Sequence, residues 1–417
     1  MTDLPRVSHA DIVAARPAVR AAVRRTPALR AEAIEREVGG RVVLKAESLQ
    51  HSGSFKLRGV AAKLAALGGG GAGGVIAGTA GNHGQALAHA ARRQGLACEL
   101  FVPDDAPVSK TAPAERRGAV VRRCEGNVDE CVALARERAE SEGLAFVHPF
   151  DDLDVIAGQG SVGLELLDDV DGLAKVLVPL GGGGLASGIA IAVKSCQPRV
   201  EVIGVQASAC PSYPASLERG VPVEVEAAQT IADGIAVKRP GDLTMPLVEQ
   251  WLDGVVVVSD DDIGDAMGLL VAESKLVVEG AGAVGAAALL AGCEAPARSG
   301  VTAVVLSGGN VDEALLAAIA RRNETRLGRG AALFSTISDR PGSLARLLDA
   351  VAGTGASVVD VRHVREAVDL HVAETGVELI LETRGPEHTE SILVYLREAG
   401  YPVELQHAKR RESENAG

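Results

Sequence analysis

Aromatic residues are scarce here: one Trp, three Tyr and five Phe make up 2% of 417 residues, although 47% are apolar. A core of that composition has to be assembled by close packing of Ala, Val, Leu and Ile. Also missing is any uninterrupted stretch of about 18 apolar residues, which excludes an ordinary transmembrane helix. The N-terminus lacks an apolar run of signal-peptide length. Basic residues are in deficit, with 42 Lys and Arg against 55 Asp and Glu for a formal charge of −13. No Lys/Arg-rich run relieves that field, so a nucleic-acid partner is excluded and small metabolites are the expected ligands. The six cysteines (Cys98, Cys124, Cys131, Cys196, Cys210, Cys293) form no CxxC pair and no Cys/His cluster. No metal site is expected, and the thiols are expected to be reduced in a cytoplasmic protein.

What is present is alternation. Ser8 and Asp11 form a capping box for a helix running to about Arg25, where Thr26-Pro27 stops it. From the apolar run Arg41–Lys45 to about residue 320, short apolar runs alternate with helical patterns, the signature of parallel α/β sheets with helices on both faces. The Gly68–Gly74 run follows a helix and precedes a strand, the wrong order for a phosphate cradle, and reads as a connecting loop. After Arg326 the pattern changes to strand, helix, strand, strand, helix, strand within about 75 residues, the split ferredoxin-like βαββαβ order. Domains are therefore expected at 1–326 and 330–406. The polar tail 407–417 is expected to be disordered.

Three distant segments belong together chemically. Ser52-Gly53-Ser54-Phe55-Lys56 is a small-residue turn that delivers one lysine where a helix begins. The positive end of a helix, combined with burial, lowers an amine's pKa and frees it for carbonyl chemistry. The run Val176–Leu180, then Gly181, Gly182, Gly183 and Gly184, then Leu185–Ala190, reads as strand, glycine loop and helix. That order lets backbone N–H groups converge on one phosphate. It has neither the G-x-G-x-x-G spacing with a ribose-binding acid nor the Gly-Lys-Ser/Thr ending that a nucleotide would require. Ser307-Gly308-Gly309-Asn310 sits at the C-terminal edge of a strand, where open α/β sheets bind ligands.

These segments, with Thr79-Ala80-Gly81-Asn82-His83-Gly84-Gln85, resemble the signature segments of fold-type II pyridoxal-phosphate enzymes. His148–Asp152, Ala157–Ser161 and Glu279–Gly282 are similar to the threonine/serine dehydratase and serine racemase branch. The resemblance implies a two-lobed catalytic body, with a smaller lobe over about 50–150 and pyridoxal 5'-phosphate held between the lobes. It implies that Lys56 is the Schiff-base lysine and then the base at the substrate Cα. Phe55 would pack near the ring, Asn82 would bond its hydroxyl, Gly181–Gly184 would hold the phosphate and Ser307 would face the pyridine nitrogen. Thr79, Ala80, Gly81, Asn82 and His83 would grip the substrate carboxylate, with Glu279 near the cofactor. Gln206 and Ser212 stand where racemase-like members carry an acidic cation site, so no metal is expected. The implied reaction is dehydration and deamination of L-threonine to 2-oxobutanoate and ammonia, serving isoleucine synthesis, with L-serine slower. Alternatives are a serine racemase or β-replacing enzyme, and a non-catalytic amino-acid sensor.

Residues 330–406 resemble an ACT domain, an amino-acid-sensing module, on Ser338-Asp339-Arg340-Pro341-Gly342-Ser343-Leu344 with His363 and Arg365. The resemblance implies an amino-acid effector at Asp339, Pro341, Gly342, Ser343 and Leu344, and the dehydratase family resemblance implies a homodimer or homotetramer.

Overall fold

The computed structural model describes residues 7–68, 73–79, 81–364 and 373–406. The first helix, His9–Ala22, opens on the expected capping box: Ser8 Oγ accepts from the Asp11 N–H at 3.3 Å, and the Asp11 carboxylate accepts from the Ser8 N–H at 2.8 Å. It stops at Ala22, three residues before Arg25, because Val23 is already extended and Pro27 holds Thr26 away from helical geometry.

Strands β1 (Ala28–Arg30) and β2 (Arg41–Ala46) begin one sheet. Next, β3 (Val75–Gly78), β4 (Cys98–Pro103), β5 (Val120–Cys124) and β6 (Ala145–Phe146) form a second, parallel one in the order β5-β4-β3-β6. Then β7 (Leu173–Pro179), β8 (Glu201–Ala207), β9 (Gly254–Val258) and β10 (Val301–Leu306) complete the first in the order β1-β2-β10-β7-β8-β9. Every pairing in it is parallel except β1 with β2. The ten residues from β1 to β2 are too few for a parallel crossover, so the edge strand turns back. Helices cover both faces, which is why β10 is buried at all six positions and reads as one apolar run. The large sheet packs Val176, Val178, Val202 and Ala303 against the helix Gly184–Cys196. The small one packs Val75, Ala77 and Leu100 against Leu57, Val60 and Leu64 of the helix Lys56–Ala66.

The sulfur chemistry departs from the expectation. Cys124, closing β5, and Cys131, in the first turns of the helix Val128–Glu142, form a disulfide; Cys98, Cys196, Cys210 and Cys293 are free. Neither partner's spacing marks it, because the pair is made by the chain folding back between two elements. The helix after Phe55 ends at Ala66 and β3 begins at Val75; most of the intervening glycine run, 69–72, lies outside the described residues.

The chain divides into two compact units, Met1–Glu313 and Ala314–Gly417. In the second, β11 (Gly330–Ser338), β12 (Ser357–Val364), β13 (Glu374–Glu382) and β14 (Val403–Leu405) form an antiparallel sheet ordered β12-β13-β11-β14. Alternate β11 residues Ala331, Leu333, Ser335 and Ile337 face inward. Leu347, Val351, Ile392 and Leu396 of the helices Ser343–Gly353 and Pro386–Glu398 pack with that face. This is the ferredoxin-like βαββαβ arrangement. The expected last strand from Tyr401 begins at Val403. The segment 407–417 and Arg365 lie outside the described residues.

Candidate active site

A cleft of about 400 Å³ opens in the first unit, and Phe55, Lys56, Thr79, Gly81, Asn82 and His83 line it together with Gly181–Gly184, Glu279 and Ser307. Ala80 lies outside the described residues.

The lysine turn is laced to the end of β10. Phe55 N–H donates to the Ser307 carbonyl at 2.9 Å, Gly309 N–H donates to the Gly53 carbonyl at 2.9 Å, and Ser54 and Gly308 form an isolated bridge. Gly53 is required: its φ is +79°, and an added Cβ would stand 2.2 Å from the Asn310 side chain. Lys56 is the first residue of its helix, and its Nζ donates to the Pro149 carbonyl at 2.7 Å. Burial lowers its pKa to about 8, against the opposing pull of Glu279.

Asn82 is held by two partners, donating from Nδ2 to Glu279 Oε1 at 2.7 Å and accepting at Oδ1 from Asn310 Nδ2 at 2.6 Å. Burial raises Glu279 to about 7, with Asp233 acting in the same direction. His83 pairs Nε2 with the Val147 carbonyl at 2.9 Å, so Nε2 carries the proton and Nδ1 is left buried without a partner. Burial lowers its pKa to about 3. A ring so enclosed is neutral, and what His83 can offer a substrate is its backbone N–H in the first turn of the helix Asn82–Gln94.

The glycine loop joins β7 to the helix Gly184–Cys196 and is buried throughout. Cβ atoms at Gly182 and Gly184 would strike Phe150, at 2.2 Å from its ring and 2.7 Å from its carbonyl oxygen. Among the described residues, no backbone N–H from Gly181 to Ala186 donates to a protein acceptor. Buried N–H groups rarely go without a partner, so five together along the cleft, Gly181 to Leu185, mark a ligand's place.

Several residues that sequence reasoning passed over complete the surroundings. Lys110 and Asp233 pair beside the cleft, which both line. Tyr213 and Thr244 back the glycine loop. Arg58 bonds Glu47 and Glu165, and Lys45 joins Glu165 at 2.6 Å, a buried network behind the lysine turn. Gln206 and Ser212 bond one another at 3.3 Å. Among the described residues no group of three or more His, Cys, Asp or Glu could hold a metal ion, and no helix is long and apolar enough to cross a membrane.

An amine poised near neutrality and a row of unused N–H donors in the same cleft fit a cofactor carrying both an aldehyde and a phosphate. Residues 19–308 match the family model described as pyridoxal-phosphate dependent enzyme. The chain belongs to this family. It is 42% identical to the L-threonine ammonia-lyase of Thermotoga maritima over 397 residues, 95% of this chain and 98% of that protein. A solved T.th. threonine deaminase is 39% identical with a TM-score of 0.68, covering 73% of this chain and 99% of that one. Maize serine racemase is 31% identical with a TM-score of 0.72, covering 77% and 99% respectively. The chain's PLP dependence follows from the family, and the cleft is where its residues fit the cofactor.

The second unit has a smaller cavity of about 280 Å³, lined by Asp339, Pro341, Gly342, Ser343, Leu344 and His363 among others. Gly342, with φ +88°, starts the helix Ser343–Gly353. Among the described residues the N–H groups of Gly342 and Leu344 donate to no protein acceptor.

Proposed function

We propose that this protein converts L-threonine to 2-oxobutanoate and ammonia by β-elimination, and L-serine more slowly to the corresponding 2-oxo acid. The observation that carries the reading is the buried Lys56 amine sharing one cleft with the unused N–H donors of Gly181–Gly184. Pyridoxal phosphate, when bound, supplies the electron sink that makes an amino acid's Cα proton removable. Lys56, its Nζ oriented by the Pro149 carbonyl, takes that proton. An amine with a pKa near 8 both accepts and returns a proton at neutral pH, which one of ordinary pKa does poorly. Gly181–Gly184 would hold the cofactor phosphate through N–H groups at a helix start. With the cofactor bound, Ser307, a neutral hydroxyl, would face the pyridine nitrogen, Asn82 would bond the ring hydroxyl and Phe55 would pack near the ring. The segment from Thr79 to His83 would grip the substrate carboxylate through backbone N–H groups and side chains. Glu279 keeps Asn82 in place.

The test is direct. Purified protein with L-threonine should release 2-oxobutanoate, read by a coupled reductase, and Lys56→Ala should release none. Cofactor-loaded protein that forms no 2-oxo acid from threonine or serine overturns the proposal, and chiral analysis of serine separates elimination from racemisation.

The second unit is read as an ACT domain that binds isoleucine, with valine as antagonist. The cavity at Asp339, Pro341, Gly342, Ser343 and Leu344, with free N–H groups at a helix start, supports carboxylate binding there.

A further inference from the structure

The Gly182 carbonyl is turned away from the cleft. It accepts from Thr244 Oγ1 at 2.7 Å and from the Tyr213 hydroxyl at 3.2 Å, and the two hydroxyls lie 3.2 Å apart. Both side chains are fully buried, and neither lines the cleft. The described chain contains no cis peptide, so the N–H of Gly183 points opposite to that carbonyl, and Gly183 does line the cleft.

The proton count sets a direction. Thr244 has one hydroxyl proton and two acceptors in reach, Gly182 at 2.7 Å and Gly241 at 3.4 Å, so it donates to Gly182. Burial pushes the Tyr213 phenol upward, so it stays protonated and donates into the Thr244 and Gly182 pair. A carbonyl that accepts hydrogen bonds polarises its own peptide, which makes the attached N–H a stronger donor to an anion.

Both hydroxyls are themselves anchored from outside the loop. The Tyr213 N–H donates to Gln206 Oε1 at 2.9 Å. Thr244 begins the helix Thr244–Trp251, and its N–H, with those of Asp242 and Leu243, donates to the Asp151 carboxylate at 3.1 Å. Gly183 is fitted against the pair: an added Cβ would lie 2.0 Å from the Tyr213 oxygen and 2.8 Å from Thr244, at a φ of +91°.

We propose that Tyr213 and Thr244 are positioning residues, a hydroxyl relay that aims the Gly183 N–H into the cleft and strengthens it toward the cofactor phosphate. The proposal rests on the reading of Gly181–Gly184 as the phosphate loop.

Pyridoxal and pyridoxal phosphate share Lys56 and the ring contacts and differ only in the phosphate, so the ratio of their dissociation constants for the apo protein isolates this site. Wild type should favour the phosphorylated form strongly. Thr244→Val should cut that preference by about five- to twentyfold, the size of a weakened charge-assisted hydrogen bond. Thr244→Ser should restore it, and Tyr213→Phe should lower it less. The affinity for pyridoxal serves as the control for folding. An unchanged ratio in Thr244→Val and Tyr213→Phe, whether both affinities hold or fall together, overturns the relay. Equal wild-type binding of the two forms overturns the phosphate reading itself, a different result from the first.

Discussion

Lys56 is set by two opposing influences of different origin. Burial favours its neutral amine, while ionised Glu279 favours the ammonium and so holds the pKa higher than burial alone would. Glu279→Gln removes that charge and keeps an acceptor for Asn82. The midpoint for the free amine should then fall below the present value of about 8. The pH dependence of the rate at which apo protein takes up pyridoxal reads this directly, since only the free amine reacts. A midpoint that stays put or rises contradicts the coupling. Lys56 itself is legible in sequence because everything that singles it out, the small-residue turn and the helix start, is local. Glu279 is not, because its partner Asn82 lies 197 positions away and Asn310 reaches Asn82 across 228.

At the scale of elements, two residues matter on one helix for opposite reasons. Lys56 and Arg58 are two positions apart, about 200° around the helix, so one can face the cleft while the other faces the interior. Arg58 there bonds Glu47 and Glu165, fully out of water. Burial would raise the Glu47 carboxyl, but the guanidinium outweighs it and holds the carboxyl below its ordinary value. Arg58→Met leaves the buried Glu47 carboxylate without its ion-pair partner and Glu165 with Lys45 alone, and should cost about 3 to 5 kcal/mol. Denaturant unfolding of the apo protein measures this, and a loss below about 1 kcal/mol would show that water reaches the site. Strand, glycines and helix are readable because their chemistry runs in sequence order, as is the capping box of Ser8 and Asp11. The supports of the glycine loop are not: Asp151 comes from a loop and Tyr213 and Thr244 from two different helices, and only the fold makes them converge. The Cys124–Cys131 bond escaped for the same reason.

The whole molecule is two compact units, and the family match ends at residue 308 within the first. The first has two sheets and the second has one, and each unit has its own core, with Leu333, Leu347, Val377 and Leu396 closing the second without any residue of the cleft. Truncation after Arg326 removes β11–β14 as a set and leaves the cleft's lining intact. The truncated protein should therefore remain folded and convert threonine. Regulation requires more than a binding site, because an effector shifts a conformational equilibrium only by its differential affinity for two states. A tenfold change in half-saturation needs about 1.4 kcal/mol of such difference. Isoleucine at millimolar concentration should raise the threonine half-saturation of the full chain, valine should reverse the effect, and neither should alter the truncated form. Gly342→Pro, which removes one unused N–H of the smaller cavity and is incompatible with the φ of +88°, should abolish the response while leaving the basal rate unchanged. If the full chain's saturation curve ignores both amino acids, the second unit has no sensing role and assembly of the protein is what it serves.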